Sequence, residues 1–513
     1  MRGNPFYFGG FTGGLNTRDS AYDVEQNQAR DLSNMLGTNT GAMRKREGNV
    51  TFATPASPLQ SIFPFENGAT PYLVAQGYSA GAGSAWYRIA ADGSVTTITG
   101  TSTPTANLPW SAVQAPSTLA GQGPLYLANG VDPPQTWTGS GNLAAWTANA
   151  TSNLPNGKYM VYTNDRVWVA GMSSYTPFGA SAVADPGSTL AFSGIANPRD
   201  FPAINVATFD ANDGDQITGL GTYGPYLLVF KRRKVFLVFD LDTGAHRRIS
   251  DGTGCIAPRS IVETPQGTMF LALDRGVYRT KGDGVELMSD IIRPSLDAIP
   301  SALRANACAA FHNNHYYLST SETSTSVSDV TYDFDLNLQS WWKHSFAATQ
   351  FAVWRASTSQ DLYSAPLASR VDKLMVPGVF TDNGSNYTAY WTGAWQSPAY
   401  FRRRIIQTPD YKKRIREVRL QGKGKFSLSV ARDFAGSPTL AKTFDFTGTP
   451  TTFGGSGLYG GDYLYGDTPT ITQGRAPTLG VANSFSLQWA SDASNSGSWE
   501  LENYILLLQE RKD

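Results

Sequence analysis

The chain has 513 residues, and its 41 lysines and arginines balance 41 aspartates and glutamates, so its formal net charge is zero. This balance gives no overall attraction to nucleic acid or to a membrane surface, and no apolar run reaches the ~18 residues of a membrane span. Charged residues make up only 16% of the chain, while 51 glycines, 29 prolines and 12% aromatic residues are present. Such a composition is typical of many short strands joined by tight turns.

The two cysteines, Cys255 and Cys308, are too few for a disulfide framework in a chain of this length. They indicate assembly in a reducing compartment. The length allows two or three domains, or one large repeat domain with an appendage. The low charge content also suits a protein that hides much of its surface against neighbouring subunits.

Residues 1–60 are predicted to form an N-terminal docking arm with one helix. The helix is expected over residues 24–36, because Asp23 and Gln26 have the spacing of a reciprocal N-cap and Leu32 and Leu36 can share an apolar stripe. A glycine-rich arm with one marginal helix buries little surface, which predicts docking on another subunit. An ordinary N-terminal arm is the alternative. The candidate docking residues are Asp23, Leu32, Arg44, Lys45 and Arg46.

Residues 61–395 repeat a theme of two aromatic or aliphatic strands joined by a turn, at a period of about 40 to 50 residues. Residues 159–171, 226–240 and 268–280 are the clearest hairpins, and the first of them turns at Asn164 and Asp165. Hairpins at this period predict an all-β fold, a β-propeller of about six or seven blades, with a chain of small sandwiches as the alternative.

Two short motifs match enzyme patterns without the structural context that those patterns need. Residues 77–81, which include Ser79, match the nucleophile elbow of hydrolases, and residues 219–224 match the dinucleotide-binding fingerprint. Both patterns require a helix directly after the motif, whereas strand sequences follow here. We therefore expect a hairpin loop at residues 77–81 and interpret the match at residues 219–224 as spurious, and no catalytic residue or cofactor site is predicted.

Two further groups have the residue types of metal ligands. His312 and His315 are three positions apart, and in a continuous strand they would point to opposite faces, which argues against a metal site. The acidic residues 210–215 lack the spacing and terminal glutamate of a helix-loop-helix calcium site. They are interpreted as a solvated loop, with a structural calcium ion as the alternative.

The strongest charge cluster in the propeller region comprises Lys231, Arg232, Arg233 and Lys234 at the end of a predicted hairpin. There all four cations can project into water, as a solvated turn that protects an apolar hairpin from aggregation. Alternatively, the cluster faces DNA or another subunit.

Residues 396–513 are predicted to form a small antiparallel β-sandwich, or a set of strands that completes a platform. Residues 401–426 contain ten lysines and arginines and two acidic residues, and their alternation suggests one basic strand face. The candidate DNA- or subunit-facing residues here are Arg402, Arg403, Arg404, Lys412, Lys413 and Arg414. An aromatic, glycine-rich loop follows at residues 454–467.

The order of these segments resembles the tail nozzle, or tail tubular, proteins of short-tailed bacteriophages. The resemblance begins in residues 8–48 with a double glycine, a predicted helix that ends in asparagine, a glycine turn and the R-K-R-x-G run. It continues through segments at residues 165–171, 190–201, 228–236, 254–260 and 276–279 and covers roughly two-thirds of the chain.

The resemblance implies a structural virion protein and no enzyme. It implies a ring, hexameric in that family, that docks to the portal and adaptor, assembles in the host cytoplasm and retains DNA until ejection. Contact with DNA in the lumen would be non-specific, and no membrane insertion is predicted.

Two other functions remain open at the level of sequence. The first is a receptor-binding or polysaccharide-degrading tail protein, in which aromatic glycine-rich loops stack on sugars and a carboxylate pair cleaves glycosidic bonds. No such carboxylate pair can be named from the sequence. The second is a cellular propeller scaffold, which a monomeric chain would favour.

Overall fold

The computed structural model of the chain is an all-β protein, as the composition and the hairpin pattern predict. It describes residues 4–510 apart from 22, 67–69, 81–82, 101–107, 116–122, 357, 396–412, 434–436, 447–471, 477, 483 and 493–495. Within this part of the chain, seven four-stranded antiparallel sheets form a β-propeller and eleven strands form one larger sheet. The predicted range of six or seven blades thus resolves to seven.

The blades, numbered in chain order, each take four strands that follow one another in the sheet. Blades 1 to 3 comprise Leu59–Phe65, Tyr72–Ser79, Gly83–Ile89 and Val95–Ile98; Ser111–Gln114, Leu125–Ala128, Gln135–Trp137 and Ala144–Ala145; and Gly157–Thr163, Arg166–Met172, Thr189–Phe192 and Val206–Thr208. Blades 4 to 6 comprise Ile217–Tyr223, Tyr226–Lys231, Lys234–Asp240 and Ala245–Asp251; Val262–Thr264, Gly267–Leu271, Val277–Thr280 and Val285–Leu287; and Cys308–His312, His315–Thr320, Val330–Asp335 and Ser340–His344. The first strands of blades 2 to 7 contact one another in succession, and that of blade 7 contacts that of blade 1, so the first strands surround the propeller axis.

The propeller closes on itself through a strand from the N-terminal segment. Blade 7 contains Gln350–Trp354, Asp361–Ala365 and Val371–Val376, and its outer strand is Gly48–Ala53. The two outer strands are antiparallel, with Ala53 opposite Val371 and Gly48 opposite Val376. Backbone hydrogen bonds between distant parts of the chain therefore hold the ring of blades closed.

The tight hairpins form where the sequence predicts them. In blade 3 the turn residues Asn164 and Asp165 both have positive φ angles, 51° and 54°. Two consecutive residues with positive φ are the signature of a type I′ turn, whose twist matches that of the flanking strands, and asparagine and aspartate tolerate this backbone. Blade 6 uses the same device at Asn313 and Asn314.

The large sheet draws its strands from both ends of the chain. They are Asn4–Gly9, Asp31–Ser33, Met35–Gly37, Met43–Lys45, Tyr390–Thr392, Lys413–Arg432, Thr439–Phe446, Thr472–Ala476, Gly480–Ala482, Phe485–Ser491 and Trp499–Glu510. The 20-residue strand Lys413–Arg432 is at its centre and pairs with five of the others. Strands of the N-terminal segment thus belong to both the last blade and this sheet. A division of the sequence into consecutive domains does not describe this arrangement.

The predicted helix over residues 24–36 is wrong. This segment contains instead the strands Gln28–Ala29, which pairs in parallel with Gly14–Leu15, and Asp31–Ser33, which pairs with Tyr390–Thr392. Asn34 has a φ of 57°, which an α-helix does not allow. Tertiary packing overrides the helical spacing, because Leu32 and Met35 are both fully buried and Leu36 lies in the same cluster.

The N-terminal segment is also far better buried than its glycine content suggests. Phe8, Phe11, Leu32 and Met43 belong to one hydrophobic cluster that also contains side chains of blades 5 and 6 and of the large sheet, such as Trp489. The premise that this arm buries too little to hold itself in place is therefore wrong. Whether it also docks on another subunit stays a prediction.

Helical structure in the described residues is limited to one α-helix and four 3₁₀ turns. These are Arg293–Asp297, Pro186–Ser188, Pro258–Ser260, Asp290–Ile292 and Arg304–Asn306. A search of the same residues finds no helix with the length and apolar character needed to cross a membrane.

The closure of the propeller predicts that replacing Gly48 with alanine destabilises the protein. A Cβ atom at Gly48 would lie 2.0 Å from the carbonyl oxygen of Thr381, so the backbone has to move. We expect Gly48→Ala to lower the free energy of unfolding by about 1–3 kcal/mol, the usual cost of overpacking. Urea unfolding followed by tryptophan fluorescence measures this.

The matched control is Gly284→Ala. Gly284 has nothing within 4 Å of the position of an added Cβ. We expect its unfolding free energy to change by no more than about 0.5 kcal/mol. Equal effects of the two substitutions would contradict the closure described here.

Candidate functional site

The basic run Arg44, Lys45 and Arg46 lies where the N-terminal segment passes from the large sheet to blade 7. The Arg46 side chain is completely buried and forms two hydrogen bonds to the carboxylate of Asp382, at 3.0 and 2.5 Å. Its guanidinium also lies over the ring of Tyr387, 4.0 Å from the centroid, and its Nε donates to the Asn34 side chain at 2.8 Å. These contacts satisfy the ion on several sides, which a buried cation requires.

Lys45 is buried beside Arg46 without a carboxylate of its own. Its Nζ donates to the carbonyl oxygen of Phe380 at 2.9 Å and lies 4.4 Å from the centroid of the Tyr387 ring. Burial, reinforced by the nearby charge of Arg46, lowers the pKa of Lys45 to about 8. We call Lys45, Arg46, Asp382 and Tyr387 the seam cluster, since they join the N-terminal segment to residues 380–387.

The candidate docking residues thus divide into two groups. Leu32, Lys45 and Arg46 are buried within the chain and offer no free surface to a partner in this structure. Asp23 is exposed, and 43% of the Arg44 side chain is exposed, so these two remain accessible.

The sequence predicts that the basic turn of blade 4 presents four cations to water. The structure differs from this prediction. Lys231 is fully buried, because the strand Tyr226–Lys231 points its side chain inward. Its Nζ donates to Asp213 at 2.9 Å, to Ser188 at 3.1 Å and to the carbonyl oxygen of Asp210 at 3.0 Å. The prediction is therefore wrong for Lys231.

Lys234 is neutralised by the same acidic loop. Its Nζ lies 2.8 Å from carboxylate oxygens of both Asp210 and Asp213. The hydrogen bonds that Lys234 donates to Asp210 and Asp213 raise its pKa to about 12. Burial acts to raise the pKa of Asp213, but hydrogen bonds from Lys234 and Lys231 outweigh it and hold that pKa well below its usual range.

The backbone amides of Arg232 and Arg233 complete this arrangement, because they donate to the carboxylate of Asp215 at 3.2 and 3.0 Å. Both residues are otherwise exposed. The acidic loop of residues 210–215 is largely exposed, as its interpretation as a solvated loop predicts, and it also supplies the counter-charge of the basic turn. Only Arg232 and Arg233 present the turn's charge to the surroundings.

The histidine pair is arranged differently from its prediction. Because a two-residue turn separates them, His312 and His315 are directly opposite one another in the hairpin of blade 6, so they share a face instead of pointing apart. His315 donates a 2.8 Å hydrogen bond from Nδ1 to the buried carboxylate of Asp333, whose other oxygen lies 3.2 Å from His344.

Charge stabilises this His315–Asp333–His344 group. Burial acts to lower the pKa of His315, but the charge of Asp333 and its hydrogen bond raise it to about 8. Burial lowers the pKa of the enclosed His344. Sequence reasoning did not find this group, since alternation along the strands Val330–Asp335 and Ser340–His344 does not reveal which residues meet. Among the described residues, no group of three or more His, Cys, Asp or Glu side chains could hold a metal ion.

The C-terminal basic residues are only partly described. Arg402, Arg403, Arg404 and Lys412 lie outside the described residues, and Lys413 begins the long central strand. Arg414 is partly buried on that strand. Farther along it, Arg419 lies 3.2 Å from Glu417 and Lys423 lies 2.8 Å from Glu500, so carboxylates of the same chain accompany these cations.

Both enzyme-like motifs lie in antiparallel strand pairs. Ser79 ends the strand Tyr72–Ser79 and the next strand begins at Gly83, as the predicted hairpin loop requires. Residues 219–223 lie within the strand Ile217–Tyr223, and Gly224 lies in the turn before the strand Tyr226–Lys231. Neither is followed by the helix that the hydrolase or dinucleotide motif needs. Cys255 and Cys308 are both buried free thiols.

A cavity of about 290 Å³ lies at the centre of the propeller. Every blade contributes to it through its first strand or the turn before that strand, at Phe63, Ser111, Lys158, Leu220, Arg259, Asn306 and Gln350. Among the described residues its lining includes two cations, Lys158 and Arg259, and no carboxylate. This cavity could not be predicted from the sequence, because its lining residues are far apart in the chain.

Comparison with known proteins finds similar folds only. No protein-family model matches the chain, and no curated protein matches it. Three solved structures are similar over about two-thirds of the chain and nearly all of their own length. They are the computationally designed Ika8 protein (9% identity, 64% of this chain and 100% of that one, TM-score 0.38), the Pan2 WD40 domain of Neurospora crassa (11%, 66% and 97%, 0.34) and BBS1N in complex with ARL6DN (8%, 68% and 98%, 0.41).

The seam cluster predicts a large stability difference between two neighbouring arginines. Arg46→Met leaves the carboxylate of Asp382 without its partner, and we expect a loss of about 3–5 kcal/mol in the free energy of unfolding. Arg44→Met removes the same charge from a half-exposed position and should change it by no more than about 0.5 kcal/mol. Urea unfolding of both variants measures the difference.

A double-mutant cycle sharpens this test. If the pair is coupled, Arg46→Met combined with Asp382→Leu should cost at least about 1 kcal/mol less than the sum of the single changes. If the effects of the two single changes on the free energy of unfolding add strictly, Arg46 stabilises the seam by packing alone.

Proposed function

We propose that the protein is a structural virion subunit of a short-tailed bacteriophage, which forms part of the tail nozzle as a ring beneath the portal and adaptor. The observation that carries this proposal is the position of the residues on which the family resemblance rests. Residues 8–48, including Arg46, form the buried connection between the last blade and the large sheet. The most distinctive part of the sequence thus has a mechanical role.

A conduit for DNA has to withstand load while its subunits keep their shape. Here the last blade is closed by Gly48–Ala53, and the segment just before that strand pairs with the large sheet at Met43–Lys45. A force on the sheet is therefore transmitted to the propeller through continuous backbone and hydrogen-bonded strands. This construction supports a load-bearing role better than a flexible linkage between two domains would.

The distribution of charge also supports a conduit. A wall that holds many free cations would bind phosphates tightly and hinder sliding, because each contact releases counterions. In this chain Lys231, Lys234 and Lys423 each face a carboxylate of their own chain. Local neutralisation weakens these three lysines as phosphate sites, which suits DNA that is retained and then released.

A polysaccharide-degrading tail protein is the rival proposal. Glycoside hydrolysis uses two carboxylates flanking the scissile bond. The lining of the central cavity contains none, and the aromatic loop of residues 454–467 lies outside the described residues. No specific feature of the described residues favours this function.

The proposal predicts that the purified protein assembles into a ring, with six copies expected from the family resemblance. Mass photometry across a range of protein concentrations measures the copy number, and a strictly monomeric protein would favour a cellular scaffold instead.

The variant Arg232→Gln/Arg233→Gln distinguishes the possible roles of the blade 4 turn. If these arginines contact DNA, rings form normally and DNA retention or ejection changes in a salt-dependent manner.

If they contact a neighbouring subunit instead, fewer rings form, and ring formation of the wild type is itself weakened by salt. The double variant Lys281→Gln/Arg355→Gln removes the same charge from two other exposed positions and serves as the control. Unchanged assembly and unchanged DNA retention in the Arg232 and Arg233 variant would identify the turn as solvated only.

A further inference from the structure

The central cavity contains a cation that the protein itself leaves largely unpartnered. Arg259 has five N–H donors, yet its one hydrogen bond to a described residue is a long contact of 3.4 Å to the carbonyl oxygen of Gln60. No carboxylate among the described residues lies within ion-pair distance of it. Burial lowers the pKa of Arg259, although its guanidinium stays charged.

Arg259 is partly buried, and its environment contrasts with that of three buried cations elsewhere in the chain. Arg46, Lys231 and Arg166 each have a carboxylate oxygen within 2.9 Å. A buried charge is costly unless it is paired and hydrogen-bonded. The unused donors of Arg259 are therefore available to a ligand that supplies the missing negative charge.

Further donors line the same cavity. Lys158 adds a second positive charge, and Gln350 has a side-chain amide nitrogen with no hydrogen bond to a described residue. Trp110 also lines the cavity and is 97% buried, so part of its indole forms an apolar wall.

The shape and charge of the cavity together select a class of ligand. Two cations without a carboxylate match a dianion, and the planar fork of an arginine suits the oxygens of a phosphate group. Phe63 and Tyr159 provide aromatic walls, and a volume of about 290 Å³ admits a small organic molecule but no folded polymer. We propose that the central cavity binds a small phosphate monoester, with its phosphate group held by Arg259 and Lys158.

This site is independent of the proposed ring and its DNA. It lies on the axis of each single propeller and uses no residue of the blade 4 turn or of the seam cluster. Ligand binding could therefore fail while ring formation succeeds, and the reverse also holds.

The test uses the full-length protein in a chloride buffer, with phenyl phosphate and inorganic phosphate as probes at constant ionic strength. Isothermal titration calorimetry should show one site per chain, and quenching of tryptophan fluorescence should follow the same isotherm through Trp110. We expect phenyl phosphate to bind more tightly than inorganic phosphate because of the aromatic walls. Binding should weaken as pH falls below about 6, where a phosphate monoester loses its second charge.

Three variants make the assignment specific. Arg259→Gln and Lys158→Gln should each weaken phenyl phosphate binding at least tenfold, while Arg355→Gln, an exposed cation outside the cavity, should leave it unchanged. Arg259→Lys keeps the charge and covers the case in which Arg259→Gln fails to fold. Full affinity in both the Arg259→Lys and Lys158→Gln variants, or no saturable binding to the wild type, would overturn the proposal.

Discussion

The whole architecture depends on the antiparallel pairing of Gly48–Ala53 with Val371–Val376. These strands are separated by more than 300 residues, yet they complete one blade and close the ring. Loop-closure entropy opposes such a contact, so the surrounding structure has to stabilise it. The neighbouring ion pair of Arg46 and Asp382, with the ring of Tyr387 against the guanidinium, contributes this stabilisation at the end of the same strand.

The same segment links two structural units that would otherwise share only a packed surface. Met35–Gly37 and Met43–Lys45 pair with each other, and the second of them pairs with the C-terminal strand Trp499–Glu510. Phe8 stacks on Tyr504 with ring centroids 4.7 Å apart, and Leu32 and Met43 are fully buried. One hydrophobic cluster therefore extends from blades 5 and 6 into the large sheet. The segment that closes the propeller therefore also attaches the large sheet.

Local features of the fold could be predicted from sequence, and long-range ones could not. The hairpin at Asn164 and Asp165 is encoded by neighbouring residues, because turn chemistry and strand alternation act over a few positions. The strand around Leu32 was mistaken for a helix, since its partner, Tyr390–Thr392, lies more than 350 residues away and the local spacing is ambiguous. Lys231 was placed in solvent because nothing in its own hairpin reveals that Asp213 comes from an adjacent loop. Arg259 could not be predicted as a residue of the cavity, since a cavity formed by seven blades has no signature in one segment of the sequence.

The central structural claim is that the N-terminal segment is an integral part of the folded chain. Native-state hydrogen–deuterium exchange on the full-length protein, resolved by peptide, tests this most directly. Hydrogen-bonded amides of Gly48–Ala53 and Met43–Lys45 should exchange as slowly as those of the blade 4 strand Tyr226–Lys231. Exchange of these N-terminal amides within seconds, while the blade 4 strand remains protected, would show a free arm and contradict the account.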